Sequence, residues 1–257
     1  MTLPDPWDPA QYERYKAERE EPFFDLAALV RPRPEMRVVD LGCGTGELTR
    51  RLHDQLEARE TTGLDSSEAM LARSQAFLTA GLSFEQQDVR AWTPARRYDL
   101  VFSNAALHWV SEHASVFQVL AGALDEGGQL AVQVPANQRH VSQTIAEEVA
   151  AQAPFRGVMA PRPPTPVLAP EAYATLLHRL GFKEQHVRLQ IYPHLLESRE
   201  GVLEWMKGAL LTDYQRRMPA ALYPEFLTRY RERLLPLLED TRPYLFPFPR
   251  ILMWGRR

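Results

Sequence analysis

Apolar residues come in short blocks that alternate with amphipathic stretches over the first half of the chain. The blocks at residues 38–41, 61–65, 82–89, 98–104 and 129–135 are rich in β-branched residues or alternate with period two, so they predict strands. The stretches between them, such as 48–56 and 112–124, have helical spacing. Strands that alternate with helices predict βαβ units, and therefore an α/β fold with a parallel sheet.

The second half of the chain combines further predicted helices, at 136–153, 171–180, 199–211 and 222–238, with two late strands at 182–193 and 250–254. On the last helix, four apolar residues repeat at four-residue spacing and predict a buried stripe: Leu222, Phe226, Tyr230 and Leu234. The helices within 198–241 interrupt the sheet before its final strand. We therefore expect residues 198–241 to form a helical cap, inserted into a single domain of residues 1–257.

Residues 154–170 contain six prolines, too many for a helix or a central strand. The segment predicts an irregular loop, which is either a lid over a site or a surface connector.

Residues 1–30 are expected to form an N-terminal helical arm. Its first helix would begin after Asp8 and end at Pro22, and a second short helix would cover residues 23–30. Tyr12, Tyr15 and Arg19 share a face of the first helix. These three side chains either pack the arm onto the domain or close over a bound cofactor and substrate.

A predicted strand, three glycines and a predicted helix meet between residues 38 and 56. Gly42, Gly44 and Gly46 stand at alternate positions after Asp40. Glycines let the backbone adopt positive φ and approach a ligand, and the helix start offers unpaired N–H groups. Glu47 replaces the third glycine of the dinucleotide fingerprint, and no Lys-Ser/Thr pair follows. The loop therefore departs from the dinucleotide fingerprint, and a P-loop is excluded.

Three of the predicted strands end in an aspartate: Asp40, Asp65 and Asp88. All three are expected at the carboxyl edge of one parallel sheet, where open α/β folds bind ligands. Asp65 lies about 20 residues beyond the glycine loop, where an acid commonly accepts hydrogen bonds from ribose hydroxyls. The same carboxylate would also cap the helix that begins near Ser66.

The fourth predicted strand ends at Asn104 and is followed by Ala-Ala-Leu-His-Trp, so that His108 and Trp109 come directly after the sheet edge. His108 would act either as a general base or as a hydrogen-bonding part of the cleft wall. Trp109 is expected to shape the pocket.

Composition narrows the class of partner. The net charge is −3 over 257 residues and arginines are scattered, which argues against a nucleic-acid partner. Cys43 is the single cysteine, so a disulfide framework is excluded and a cytoplasmic location is expected. The chain starts without a signal-like pattern and has no apolar run of membrane-spanning length. No spacing of His, Cys and acidic residues suggests a metal site.

The Asp-x-Gly-x-Gly-x-Gly order of residues 40–46 resembles motif I of the class I S-adenosylmethionine-dependent methyltransferases. Segments 63–67, 103–109, 131–135, 204–205 and 248–250 extend the similarity to the trans-aconitate 2-methyltransferase family over nearly the full chain. The resemblance implies a Rossmann-like, doubly wound, mainly parallel sheet with an antiparallel C-terminal strand. It also implies S-adenosylmethionine as the cofactor.

The residue patterns and the resemblance together assign candidate roles. The expected cofactor-binding residues are Asp40, Gly42, Cys43, Gly44, Gly46, Asp65, Ser66, Met70, Asp88, Val89, Asn104, Tyr15 and Arg19. The expected substrate-binding residues are Tyr12, Trp109, Asn137, Arg139, Trp205 and Arg250, and the expected catalytic residue is His108.

The expected reaction is methyl transfer to a small molecule, with a carboxylate of a di- or tricarboxylic acid as acceptor and a methyl ester as product. A carboxylate is already ionised at neutral pH, so it needs positioning and desolvation more than a base. One alternative is N- or O-methylation of a neutral metabolite with His108 as base. The other is a cofactor-binding protein without catalysis.

Overall fold

Seven strands of the described chain form one sheet. The computed structural model describes residues 16–159, 165–208 and 210–257. The strands are β1 (Arg37–Leu41), β2 (Glu60–Asp65), β3 (Leu82–Gln86), β4 (Tyr98–Asn104), β5 (Leu124–Pro135), β6 (Glu184–Leu196) and β7 (Tyr244–Arg256). Their order in the sheet is β3-β2-β1-β4-β5-β7-β6.

Helices connect these strands. They are α1 (Lys16–Ala27), α2 (Glu47–Leu56), α3 (Glu68–Ser74), α4 (His113–Gly122), α5 (Val141–Ala150), α6 (Pro170–Arg179), α7 (Glu200–Lys207), α8 (Leu210–Arg217) and α9 (Tyr223–Leu234). In the described ranges, none of them combines the length and the apolar character that crossing a bilayer requires.

The pairing of the strands confirms the predicted fold class. Strands β1 to β5 pair in parallel, whereas β7 runs antiparallel to β5, with Gln129 opposite Arg256 and Pro135 opposite Arg250. The chain moves outward from β1 to β3 and then returns to add β4 on the other side of β1. This reversal leaves a switch point beyond the carboxyl ends of β1 and β4, where doubly wound folds bind ligands.

The described chain divides into two compact units. The sheet unit comprises residues 16–135, 165–190 and 249–257, and the helical unit comprises residues 136–159, 191–208 and 210–248. The helices α7, α8 and α9, which fall within the segment expected to form a cap, all belong to the helical unit.

Aromatic packing on α1 explains why the prediction of two helices in the N-terminal arm was wrong. The predicted break at Pro22 does not occur, since α1 continues to Ala27. A proline inside a helix costs about 3 kcal/mol. Phe23 and Leu26 are buried, and the Phe23 ring lies 4.9 Å from the ring of Phe102 on β4. This burial offsets the cost of the proline.

The core of the helical unit contains the predicted apolar stripe. Phe226, Tyr230 and Leu234 on α9 are fully buried, and Leu222 packs against the same cluster from the half-buried rim. The Tyr230 hydroxyl donates a 2.9 Å hydrogen bond to the Ser142 carbonyl at the start of α5. The stripe is therefore confirmed as core.

Several predicted boundaries were wrong. The helix predicted over 199–211 is two helices, because α7 ends at Lys207 before Gly208 and α8 begins at Leu210. The helix predicted over 112–124 ends at Gly122, since β5 already begins at Leu124. In place of the helix predicted over 136–153, the structure has the shorter α5. His140 caps α5 by accepting a hydrogen bond from the Ser142 N–H.

The last strand is longer than its predicted five residues. β7 begins at Tyr244 and includes two prolines, Pro247 and Pro249. Phe246 and Phe248 alternate with exposed positions, so a period-two pattern extends through the proline-containing segment.

In the proline-rich segment 154–170, a 3-10 turn covers Phe155–Gly157, and residues 160–164 lie outside the described chain.

A buried side-chain relay connects α4 to α6 within the sheet unit. His113 Nε2 donates to the Leu107 carbonyl over 2.9 Å, so its Nδ1 is the acceptor of the Tyr173 hydroxyl proton at 2.5 Å. The Tyr173 oxygen in turn accepts from the Leu168 N–H. Burial lowers the pKa of His113 below its ordinary value, which keeps the imidazole neutral.

We predict that acid destabilises the protein partly through His113. In the unfolded chain this residue protonates near pH 6.5, whereas the folded protein resists protonation until lower pH. The free energy of unfolding therefore falls as pH drops below 6.5, by at most ~1.4 kcal/mol per pH unit for this one residue. Urea denaturation between pH 5 and 8 measures it, with His113→Gln as the comparison; equal pH slopes for the two proteins would contradict the prediction.

Candidate functional site

The glycine loop between β1 and α2 is held against the end of β2. The N–H groups of Gly42 and Cys43 both donate to the Leu64 carbonyl, over 2.7 and 3.0 Å. Gly42, Gly44 and Gly46 have φ values of 82°, 57° and 78°, a region that favours glycine. The positive φ values predicted for the loop are thus present at each of its glycines.

The space around the loop differs sharply between its glycines. A Cβ at Gly42 would lie 2.3 Å from the Cβ of Ala106, so the chain after β4 packs directly on this residue. A Cβ at Gly44 would meet no atom within 4 Å. The loop is therefore closed on the Gly42 side and open at Gly44, where a ligand could approach the backbone.

Asp65 fixes the tip of the loop. Its Oδ2 accepts the Gly44 N–H over 2.9 Å, and its Oδ1 accepts the Ser67 N–H over 2.9 Å. Ser67 caps α3 by accepting from the Met70 N–H. Each carboxylate oxygen has two lone pairs, so both retain capacity to accept from ribose hydroxyls. Asp65 therefore joins the glycine loop to the start of α3, and its predicted contact with ribose hydroxyls stays a prediction.

Asp40 lies beneath the loop, with only 2% of its surface exposed. The Thr49 hydroxyl of α2 donates to its Oδ2 over 2.6 Å. Burial raises the pKa of Asp40 to about 7, the hydrogen bond from Thr49 opposes this rise, and the negative charge of Asp65 adds to it. Two neighbouring acids under one loop favour a cationic ligand.

Asp88 follows β3 and caps the short 3-10 turn Val89–Ala91. Its carboxylate accepts from the Arg90 N–H and from the Arg90 guanidinium, and these bonds lower the pKa of Asp88. Arg90 is exposed, whereas Asp88 is half-buried. Asp88 is therefore ionised and fixed in place, with Arg90 as its neighbour; its predicted contact with the adenine amino group stays a prediction.

The end of β4 brings three predicted residues together. The Asn104 Oδ1 is buried and has no hydrogen-bond partner among the described residues. Ala105 has φ 53°, which turns the chain into the 3-10 turn Leu107–Trp109. The rings of His108 and Trp109 are 4.6 Å apart and both residues are half-buried. Asn104 thus presents an acceptor atom beside the loop that contains Ala106.

Arg250 on β7 lies at the same edge of the sheet, next to the end of β5. It pairs with Pro135, the last residue of β5, and only 4% of its surface is exposed. Its Nη1 lies 3.5 Å from the Oε1 of Gln133. Gln133 pairs with Asn104 of β4. One edge of the sheet unit therefore carries the acceptor oxygen of Asn104, the side-chain amide of Gln133 and the buried guanidinium of Arg250.

Other candidate residues belong to the helical unit or cannot be placed. Asn137 and Trp205 are buried in the helical unit, where Trp205 stacks on His194 at 4.8 Å, and Arg139 is exposed there. Tyr12 and Tyr15 lie outside the described residues, and for Arg19 only the backbone of α1 is described. Their substrate and cofactor contacts remain predictions.

The remaining cofactor candidates lie on the loop or after the ends of β2 and β3. Met70 and Cys43 are buried, Ser66 is exposed, and Val89 is half-buried. Burial raises the pKa of the Cys43 thiol well above its ordinary value, so this cysteine is not a thiolate nucleophile.

The site suits S-adenosylmethionine in charge and shape. The acids Asp40 and Asp65 match a cationic ligand, the surroundings of Gly44 leave room for it, and the buried Asn104 Oδ1 offers an acceptor. Among the described residues, no group of three or more His, Cys, Asp and Glu side chains could hold a metal ion.

Comparisons with known proteins agree with this geometry. Residues 38–128 match the family model described as a methyltransferase domain. Trans-aconitate 2-methyltransferase of Deinococcus radiodurans is 39% identical over 256 residues, which are 98% of each chain. The Streptomyces avermitilis protein of the same name is 39% identical over 255 residues, covering 95% of this chain and 94% of its own.

A solved structure supports the fold. That of an S-adenosylmethionine dependent methyltransferase from Mesorhizobium loti has a TM-score of 0.53 and 22% identity, and the match covers 91% of this chain and 96% of that one.

Two residues of this region, Thr49 and Gln133, were not predicted from the sequence. Thr49 looks like any polar residue of an amphipathic helix, although it stands nine positions after Asp40 and contacts it. Gln133 gave a clearer signal, because it is a polar residue flanked by Val132 and Val134 inside a buried strand.

We predict that alanine at Gly42 and at Gly44 has different consequences. Gly44→Ala should cost about 1 kcal/mol of stability from its positive φ alone, yet weaken S-adenosylmethionine binding strongly because its Cβ enters the open side of the loop. Gly42→Ala adds a clash with Ala106 and should destabilise by a further ~1–3 kcal/mol. Urea denaturation and calorimetric titration measure both effects. Unchanged cofactor affinity in Gly44→Ala would show that the ligand does not approach there.

Proposed function

The chain belongs to the trans-aconitate 2-methyltransferase family, and we propose that it methylates a carboxylate of a trans-aconitate-like di- or tricarboxylic acid. The cofactor is S-adenosylmethionine, and the protein is therefore an enzyme of the methyltransferase class rather than a non-catalytic cofactor-binding protein. The proposed product is a methyl ester.

The observation that best supports a carboxylate acceptor is the burial of Arg250. A guanidinium with 4% exposure sits at the end of β5, on the edge of the sheet that also carries Asn104. Charge removed from water favours a paired opposite charge, and guanidinium pairs with carboxylate through two parallel hydrogen bonds.

The residues of the chain supply positioning rather than proton transfer in this proposal. When bound, S-adenosylmethionine supplies an electrophilic methyl group. The glycine loop, which the hydrogen bond from Gly44 to Asp65 holds in place, would receive the cofactor. Arg250 would orient the acid so that an ionised oxygen faces the methyl group. Fixing two reactants in this way lowers the barrier without a base, since the carboxylate is already ionised at pH 7.

His108 would matter more in the alternative reaction, N- or O-methylation of a neutral metabolite. A phenol, alcohol or ammonium acceptor must lose a proton, and His108 lies close to the end of β4. Arg250 favours the carboxylate, and we retain the alternative as an outcome of the tests below.

We also propose a cytoplasmic location and a small-molecule substrate without a nucleic-acid partner. A single buried cysteine that forms no disulfide and a net charge of −3 support these proposals.

We predict methyl transfer from S-adenosylmethionine to trans-aconitate and related di- and tricarboxylic acids. Release of S-adenosylhomocysteine and detection of the ester by mass spectrometry measure the reaction. Monocarboxylic acids, phenols and amines of similar size serve as controls. Turnover restricted to phenols and amines would refute the carboxylate proposal and support the alternative.

Replacement of His108 separates the two reactions further. His108→Gln retains hydrogen-bonding capacity but cannot accept a proton from the acceptor. For a carboxylate, we expect kcat to stay within about threefold of wild type, whereas loss of a general base typically costs 10²–10⁴-fold. A large loss of kcat that depends on pH between 5 and 8 would contradict the proposal.

A further inference from the structure

We propose that Gln133 is a substrate-binding residue whose side-chain amide, together with Arg250, anchors a carboxylate of the acceptor that is not itself methylated. This inference rests on the proposed function, because it concerns how a polyanionic acid is held. It adds a residue to the site, and it gives a structural reason why the acid must have at least two carboxylates.

The position of Gln133 places it at the functional edge of the sheet unit. It pairs with Asn104 on β4 and with Leu252 on β7, and Arg250 lies two residues from Leu252. Side chains at paired and i±2 positions point to the same face of a sheet. Asn104, Gln133 and Arg250 therefore share one face, close to the carboxyl ends of β4 and β5.

The orientation of the Gln133 amide follows from its neighbour. A guanidinium only donates hydrogen bonds, so the oxygen of the amide must face Arg250, as the 3.5 Å distance from Nη1 to Oε1 shows. The other end of the amide is then the NH2 group. Its Nε2 has no hydrogen-bond partner among the described residues. Water does not compensate for this, because Gln133 has 0% exposure.

A buried donor without a partner is uncommon, and in this position it calls for an acceptor atom supplied from outside. Anionic oxygens satisfy an amide donor beside a guanidinium best, because both groups then donate to one carboxylate. Inorganic anions would satisfy the same donors, but the proposed reaction supplies an organic acid at this edge.

Gln129, four residues earlier on β5, shows what a purely structural glutamine looks like in the same strand. It is also buried, with 1% exposure. Its Oε1 accepts from the Arg31 N–H and the Trp254 indole N–H, and its Nε2 donates to the Arg31 carbonyl. Both ends of this amide are paired within the chain, whereas one end of Gln133 is not.

The carboxylate held by Gln133 and Arg250 is a poor nucleophile, because donated hydrogen bonds stabilise its negative charge. The oxygen that takes the methyl group must therefore belong to a second carboxylate of the same molecule. The methyl–sulfur bond breaks as the new oxygen–methyl bond forms, and S-adenosylhomocysteine leaves with the electron pair. No proton moves in this step.

Matched substitutions on β5 test the proposal. Gln133→Glu keeps an oxygen toward Arg250 but replaces the donor by a negative charge, and Gln133→Leu removes the donor without adding charge. We expect the KM for trans-aconitate to rise about 10–100-fold in both, as loss of a hydrogen bond to a charged group implies, with an unchanged Kd for S-adenosylmethionine. A monocarboxylic acid should be a poor acceptor of the wild-type enzyme.

Gln129→Glu is the control, because it makes the same chemical change in the same strand. We expect it to lower Tm by disrupting paired groups while leaving the KM for trans-aconitate unchanged. Gln133→Leu should lower Tm less than Gln129→Leu does, since the Gln133 donor has no partner to lose.

The outcomes separate the two proposals. If wild type methylates trans-aconitate and both Gln133 variants retain its KM, the inference is overturned and the proposed function stands. If both variants lose S-adenosylmethionine binding, Gln133 is a structural residue and the inference is also overturned. If wild type methylates only neutral acceptors, the proposed function fails and the anchor fails with it.

Discussion

The carboxylate of Asp65 connects the two parts of the cofactor site on which the rest depends. It accepts one hydrogen bond from the glycine loop, at Gly44, and one from the start of α3, at Ser67. The loop itself is suspended from the Leu64 carbonyl. A change at the end of β2 would therefore move the glycine loop and the helix together. The register between β1 and β2 therefore fixes the position of the loop and of α3, which together form the ligand-binding surface.

The organisation of the sheet could be predicted from the sequence because its signals are local. The alternation of apolar blocks and helical stretches indicated parallel strands, and the acids at strand ends indicated the edge at which they meet. Asp40 and Asp65 are indeed at that edge, since residue order along a parallel strand fixes which end it occupies. Helix ends were harder to predict, because tertiary burial decides them: Phe23 keeps α1 helical through Pro22.

The candidate acceptor site could be predicted only in part. Arg250 follows from its type and its place near the last strand, but the partners of a side chain from β5 depend on a strand more than a hundred residues away. The flanking valines mark Gln133 as a polar residue inside a buried strand, but no local pattern shows that its amide is incompletely paired and that of Gln129 is fully paired. Their difference lies in neighbours that only the folded sheet brings together, which is why Gln129 resembles a core residue and Gln133 resembles a binding residue.

The raised pKa of Asp40, about 7, has a consequence for how the loop exchanges charge with solvent. Near neutral pH both the protonated and the ionised form of this carboxyl group are therefore accessible. Arrival of the cofactor favours the ionised form, so binding displaces a fraction of a proton into the buffer. Cofactor binding at the glycine loop is therefore linked to the release of hydrogen ions from Asp40.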